Sequence, residues 1–436
     1  MKVIKSERVS PFGGLNFVIK ELDKRGVGNI LCHHLPSLKP QCRFSWRDIF
    51  YSYWSVFLCG GDCAEDLSLN FKGPLDIHPD LSIPSPDRVL NRLKELAQAP
   101  TEYVSKRSSP GHFFAINEQL NHLNISICNQ LFDYNADEIT LDYDNTICFT
   151  DKKDASRTYK FENGYQPGVG FIGSSIVYVE NRSGKSTAQV GQDQTLLRMF
   201  LQLQNQGIAV KRFRADSASY GYEMLEVINQ FSDLFYLRAR MSQRLEKAIS
   251  TVKKWKAIKR SGETVYRGET TFTPFQSLFK GTKKVKALKS YRLIITKEVR
   301  RDGQLNAFTG EAYNYSAIVT NDTEMETDQI VHFYNQRGAI EKEFEVLKYD
   351  FGWQNLPFSY LAENNVYLLV TAMCRNIYHF LINFFSSKVY GLKPGTQLAR
   401  VLLPLSPNRT LVRPISIQLS CRFPTLPNHR QFSSST

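Results

Sequence analysis

Apolar residues recur at helical spacing from Leu15 to Lys24, and the aromatic-rich run from Arg47 to Asn70 predicts one or two packed helices. Pro84-Ser85-Pro86 breaks the pattern ahead of a predicted helix from Arg88 to Leu96, with Ser85 or Asp87 placed to cap it. A further helix is predicted over Phe113 to Leu131. The texture changes near Asp137. Glu138 to Phe149 alternates and is rich in β-formers, which predicts a strand, and Val169 to Val179 predicts a second. Then follow an amphipathic helix (Gln192 to Asn205), a strand (Ala209 to Ala215) ending at Asp216, a helix (Tyr220 to Phe231) and a short strand (Phe235 to Ala239). This order implies an α/β mixed sheet flanked by helices.

From about residue 250 to 320 the alternation stops. Thr264 to Thr273, Tyr291 to Val299 and Tyr313 to Thr320 read as strands of an antiparallel, β-rich insertion. A long helix is predicted from about Thr327 to Tyr349, with Thr323 and Glu326 at capping-box spacing before it. Another runs from Tyr360 to about Phe385, and after about Lys388 the Pro- and Ser-rich chain keeps no period and is expected to be poorly ordered. The expected divisions are a helical N-terminal region (1–130), a first core segment (131–250), the insertion (251–325), a second core segment (326–387) and the tail (388–436).

Composition changes this picture chiefly through charge. The 436 residues are 42% apolar and 22% charged, ordinary for a globular protein, but the formal net charge is +13. That excess favours an acidic partner, nucleic acid being the commonest, although ribosomal and membrane-surface proteins share it. It is also concentrated. Residues 251–301 hold fifteen Lys and Arg against Glu263, Glu269 and Glu298, and no acidic residue follows Glu363. The eight cysteines follow no apolar leader and read as reduced thiols. Cys59 and Cys63 lack a second pair at zinc-finger spacing. Arg375 and His379 interrupt the apolar run from Val366 to Phe385. Its longest uninterrupted part falls short of the ~20 residues a membrane span needs, so a buried helix and no membrane partner are expected.

Three places carry candidate chemistry. Tyr334, Arg337, Glu341 and Lys348 share one stripe of the long helix, bordering a core stripe of Phe333, Ile340, Phe344 and Leu347. An ordinary amphipathic helix with an Arg–Glu ion pair has the same spacing. Asp142 and Asp144 share one face of the predicted strand around Tyr143. Asp216 closes the strand after Arg214-Ala215, at the edge where α/β sheets bind ligands. Two strand-end aspartates and a helical glutamate form the oxygen-donor set that a pair of hard cations takes for phosphodiester chemistry. No His-rich cluster accompanies them, which argues against a zinc hydrolase.

These residues resemble the DDE transposases of bacterial insertion sequences, built on a ribonuclease H-like core. Tyr334, Arg337, Glu341 and Lys348 match the Y-x2-R-x3-E-x6-K signature of one large group. Asp144-Asn145-Thr146 resembles its first Asp motif and Arg214-Ala215-Asp216-Ser217 its second. Pro11-Phe12-Gly13-Gly14-Leu15 and the run from Pro84 to Leu93 are similar to its N-terminal region. The resemblance implies that Asp144, Asp216 and Glu341 are the catalytic, metal-holding carboxylates, binding two Mg²⁺ ions that Mn²⁺ can replace. It implies that Tyr334, Arg337 and Lys348 grip DNA near the scissile phosphate, and alignment on the Asp-x-Thr pattern selects Asp144 over Asp142. The implied partners are double-stranded DNA, as terminal inverted repeats read by the N-terminal region and as target, and a second copy of the chain in a synaptic homodimer. The implied location is the bacterial cytoplasm, at the nucleoid. Two other classes stay open: a catalytically inactive, transposase-derived DNA-binding protein, and a ribonuclease H-like nuclease without strand transfer.

Overall fold

A computed structural model describes residues 12, 14–75, 81–104, 111–134, 139–260, 263–282, 285, 288–300, 305 and 312–388. The tail expected at 388–436 lies outside them beyond its first residue. The chain divides into two compact units, residues 1–95 with 377–436, and residues 96–376.

The described N-terminal part of the first unit is helical: α1 (Leu15–Lys24), α2 (Val27–His34), α3 (Trp46–Leu58), α4 (Asp66–Leu69), α5 (Lys72–Leu75) and α6 (Pro86–Lys94). Ser45 and Asp48 cap α3 reciprocally, the Asp48 N–H donating to Ser45 Oγ at 3.1 Å and the Ser45 N–H to Asp48 Oδ2 at 2.9 Å. Trp46, Phe50 and Trp54 are buried and pack edge to face along α3. Of the two caps offered for α6, the structure uses Ser85, whose side chain accepts from the Arg88 N–H, with Pro86 in the first turn. Losing such a cap costs about 1 kcal/mol.

The second unit opens with β1 (Thr101–Tyr103), β2 (His112–Ala115) and α7 (Glu118–Leu131). The helix expected from Phe113 therefore starts five residues later, because Phe113 and Phe114 pair with β1 and Asn117 caps α7. Next come β3 (Thr140–Asn145), β4 (Cys148–Phe149), β5 (Ser156–Arg157), β6 (Asn163–Tyr165), β7 (Gly168–Ile172), β8 (Ser175–Arg182) and α8 (Gln192–Asn205). The single strand expected over Val169 to Val179 is the β7–β8 hairpin, turned at Gly173 with φ +61°, a conformation that glycine adopts freely. The unit continues through β9 (Val210–Ala215), α9 (Tyr222–Phe231), β10 (Ser232–Arg238), α10 (Gln243–Ser250), β11 (Lys256–Arg260), β12 (Glu263–Phe272), β13 (Tyr291–Val299) and β14 (Tyr313–Thr320).

Among the described residues eleven of these strands form one sheet, in the order β1-β2-β8-β7-β3-β9-β10-β14-β13-β12-β11. At its centre β3, β9 and β10 run parallel, while β7 and β8 run antiparallel beside β3. This five-strand arrangement with helices against it fits a ribonuclease H-like fold. The four strands between residues 256 and 320 extend the same sheet beyond β10 as antiparallel neighbours. The edge strand β11 has no apolar alternation to reveal it. Lysines along an exposed edge discourage pairing with another chain.

A core of Leu141, Tyr143, Phe200, Phe213, Phe235 and Leu293, with their neighbours, lies between sheet and helices. The outer edge of β8 pairs with β2 only at Asn181 and Arg182, and side chains complete the rest of its backbone. Asn121 and Asn124 of α7 donate to Val179 O and Ile176 O at 2.9 and 2.8 Å, while Asn376 and Asn365 accept from the Ile176 and Asn181 N–H groups. Buried backbone groups need such partners.

The long helix expected from Thr327 is α11 (Thr327–Asn335), a 3-10 turn at Gln336–Gly338 and α12 (Ala339–Asp350). Its first residue is capped by Glu326 with Gln329, not by Thr323. Finally α13 (Leu361–Lys388) is long and apolar enough to cross a membrane by length and composition, yet 67% of its most apolar window is buried inside the protein, as in a core helix.

Candidate active site

Parallel pairing of β3 with β9 sets the geometry. Asp142 stands opposite Arg214 and Tyr143 opposite Ala215, so Asp144 and Asp216 emerge together at the C-terminal ends of adjacent strands. The two strand-end aspartates have different neighbours from Asp142. Asp142 is 2% exposed and makes a two-pronged ion pair with Arg214, at 2.7 Å on each oxygen. Arg214 also donates to Phe333 O and lies 4.5 Å from the centre of the Phe333 ring. Asp142 is thus occupied in joining β3, β9 and α11.

Asp144 and Asp216 line one open cleft of about 660 Å³, together with Asn145, Thr146, Phe149, Tyr159, Lys160, Gln189 and Lys348. Arg337 reaches Asp144 Oδ2 at 2.8 Å, while the Asn145 N–H donates to Oδ1 at 2.8 Å. Burial pushes the Asp144 carboxyl up to about 6, the Arg337 charge opposing and the Asp216 charge adding to the rise. Asp216 accepts from the Ala218 N–H at 2.9 Å as the chain turns into the segment before α9.

The helical signature divides at the 3-10 turn. Tyr334 and Arg337 are buried beneath the strand ends, 8% and 9% exposed. The Tyr334 hydroxyl donates to Ala215 O at 3.3 Å, and Arg337 also reaches Tyr143 O at 3.5 Å. Tyr334 is held above the usual phenol range by burial. Arg337 keeps its proton despite burial because Asp144, Tyr334 and Asp216 surround it. Its Nε is buried without a protein partner among the described residues. Lys348 lines the cleft, whereas Glu341 is exposed on α12 and is not among the cleft-lining residues. Among the described residues, Asp62, Cys63 and Asp66 form a close ligand-type cluster, and the three candidate carboxylates do not. The structure therefore brings Asp144 and Asp216 together with Arg337, Tyr334 and Lys348, and leaves Glu341 apart.

Sequence reasoning did not find Arg214's clamp or the cleft residues Phe149, Tyr159 and Lys160. The local signal for the latter is Tyr159-Lys160-Phe161, two aromatics around a lysine, which no periodicity marks.

Compared with known families, residues 79–403 match the one described as transposase DDE domain group 1. The chain belongs to that family, and its class is transposase. No curated protein matches it by sequence. Among solved structures it is similar to a piggyBac transposase synaptic complex with hairpin DNA, at 11% identity and a TM-score of 0.42, covering 90% of this chain and 78% of that one. It is also similar to a Mos1 transposase paired-end complex with the left transposon end, at 14% identity and a TM-score of 0.17, covering 45% and 59%.

Proposed function

We propose that this transposase cleaves the ends of an insertion sequence and transfers the freed 3′-hydroxyl strands to target DNA, with Asp144, Asp216 and Glu341 as its metal-holding carboxylates. The observation that carries this reading is the convergence of Asp144 and Asp216 from adjacent parallel strands into one cleft that also holds Lys348. A carboxyl raised to about 6 beside a second carboxylate fits a site completed by a cation. The all-oxygen donor set suits Mg²⁺, or Mn²⁺ in its place. Two bound ions would activate the attacking oxygen and stabilise the leaving one. Glu341 is proposed to join them from α12.

The chain's own residues have distinct tasks. Arg337 and Tyr334 hold the ends of β3 and β9 from beneath, fixing the direction of both aspartates. Lys348 and Lys160 face the cleft and hold phosphate oxygens as point charges. Water attacks the phosphorus at the element boundary, the bond to the 3′ oxygen breaks, and the resulting 3′-hydroxyl attacks a target phosphodiester. The match to the four-residue helical signature supports the insertion-sequence reading. Synapsis of two ends by a homodimer, end recognition by the helical region before residue 130, and action in the cytoplasm belong to the same proposal.

The test is end cleavage with Mg²⁺ on DNA carrying the inverted repeats that flank the gene. Wild type is expected to cut at the boundary, and Asp144→Asn, Asp216→Asn and Glu341→Gln to lose cutting by about 1000-fold or more while retaining binding. Binding without cutting by wild type would leave a DNA-binding remnant. Nicked product without joined product would leave a nuclease.

A further inference from the structure

The hairpin joining β5 to β6 carries Tyr159, Lys160 and Phe161 at its tip. Tyr159 is 58% and Phe161 76% exposed. Isolated exposed aromatics are ordinary, but several features set this tip apart. Tyr159 and Lys160 line the same cleft as Asp144, Asp216 and Lys348, and so does Phe149 on the paired strand β4. The Arg157 guanidinium stands 5.3 Å from the Phe161 ring and the Lys160 ammonium 5.5 Å from the Tyr159 ring. Phe161 has φ +67°, in the left-handed region that a bulky residue rarely adopts. Strain of that kind persists where surrounding structure imposes it, often at ligand sites.

The base of the hairpin is correspondingly stiff. A Cβ on Gly164 would lie 2.5 Å from Cys148 O, and one on Gly184 would lie 2.0 Å from Ser156 O, so the backbones are in close contact. Thr158 and Glu162 close the loop, with the Thr158 N–H on Glu162 O at 2.8 Å and the Phe161 N–H on Thr158 O at 3.0 Å. Apolar rings are thus presented to solvent on an anchored support, beside cations, at the mouth of a cleft with carboxylates inside.

We propose that this tip is a stacking site for an unpaired nucleobase of the DNA strand that enters the cleft. Aromatic faces take any base, the flanking cations take its phosphates, and a paired base offers no free face. The inference rests on the cleft being the DNA site. It adds that the protein distinguishes a frayed end from a paired one through Tyr159 and Phe161.

The experiment uses the full chain with EDTA, so that binding is read without cutting. Two inverted-repeat duplexes are compared, one fully paired and one with a single mismatched base at the element boundary. Wild type is expected to prefer the mismatched duplex by about 10-fold. Tyr159→Ala/Phe161→Ala is expected to lose that preference while binding the paired duplex within about 3-fold of wild type, and Tyr159→Phe is expected to keep it. In parallel, 5-iodouracil at the mismatched position is expected to photocrosslink to the peptide containing Tyr159 and Phe161. Equal binding of both duplexes by wild type, or an unchanged preference in the double variant, would overturn the proposal. A change of oligomeric state on sedimentation with the preference intact would assign the tip to a protein contact and also overturn it. If wild type binds neither duplex, the reading of the cleft as the DNA site fails first.

Discussion

Asp142 and Asp144 sit two residues apart on one face of β3, and burial raises both carboxyls against the pull of a neighbouring arginine, Arg214 for the first and Arg337 for the second. Asp142 is locked to Arg214 at 2.7 Å within the core. Removing one partner of a buried pair costs about 3 kcal/mol, because the other is left unmatched. Asp144 differs in facing the cleft beside a second carboxylate. Its carboxyl is raised to about 6 from 3.8, first by burial and then by the Asp216 charge, against the pull of Arg337. The folded protein therefore binds that proton more tightly than the unfolded chain. Stability falls as pH rises through the window from about 4 to about 6, and stays lower above it. In the absence of divalent metal, Asp144→Asn should stabilise the protein at about pH 7.5 by on the order of 2 kcal/mol. That gain should vanish below about pH 4, whereas Asp142→Asn should destabilise at neutral pH by leaving Arg214 unmatched. Denaturant melts of both variants across pH check this, and a less stable Asp144→Asn at neutral pH would show that its charge is satisfied without a metal.

At the scale of elements, β8 shows how helices finish a sheet. One edge pairs with β7, while the other pairs briefly with β2 and is otherwise served by four asparagines from α7 and α13. Asn124 also accepts from Asn376 Nδ2 at 3.1 Å, so one truncation breaks two contacts. Asn124→Ala should cost about 2 kcal/mol through unsatisfied buried groups. The loss would be seen as a lower urea midpoint and faster amide exchange in β8. An unchanged midpoint would mean that water replaces the amide there. The 3-10 turn between α11 and α12 is the other decisive element. It interrupts the predicted stripe, so that Tyr334 and Arg337 support the strand ends while Lys348 opens to the cleft.

At the scale of the whole molecule, the net charge of +13 is largely concentrated in residues 251–301, more in the segments around the added strands than in the strands themselves, and in the acid-free stretch after Glu363. Some of the former is already spent internally, as in Lys256 on Asp328 at 2.8 Å and Arg292 on Glu269 at 2.6 Å. The basic residues of these regions should drive binding to phosphates by releasing counterions. Affinity for duplex DNA, measured by anisotropy in EDTA, should fall by about 1000-fold between about 50 and 200 mM salt. A shallow dependence would move recognition away from the backbone contacts.

Local pattern determined much of this by itself. Burial on one face is written as period 3.6 or 2, which is why α1, α8, β13 and β14 have the bounds their residues predict. The residues of the two Asp motifs and the helical signature were likewise visible, since side-chain chemistry is local. Only the tertiary structure decided their partners. Strand pairing is non-local, and its register alone sets Asp142 against Arg214 and brings Asp144 beside Asp216. The turn at Gly173, the asparagines on β8 and the exposed Tyr159 and Phe161 depend on what the folded chain brings near them. A periodicity records which face is buried, and says nothing of what buries it.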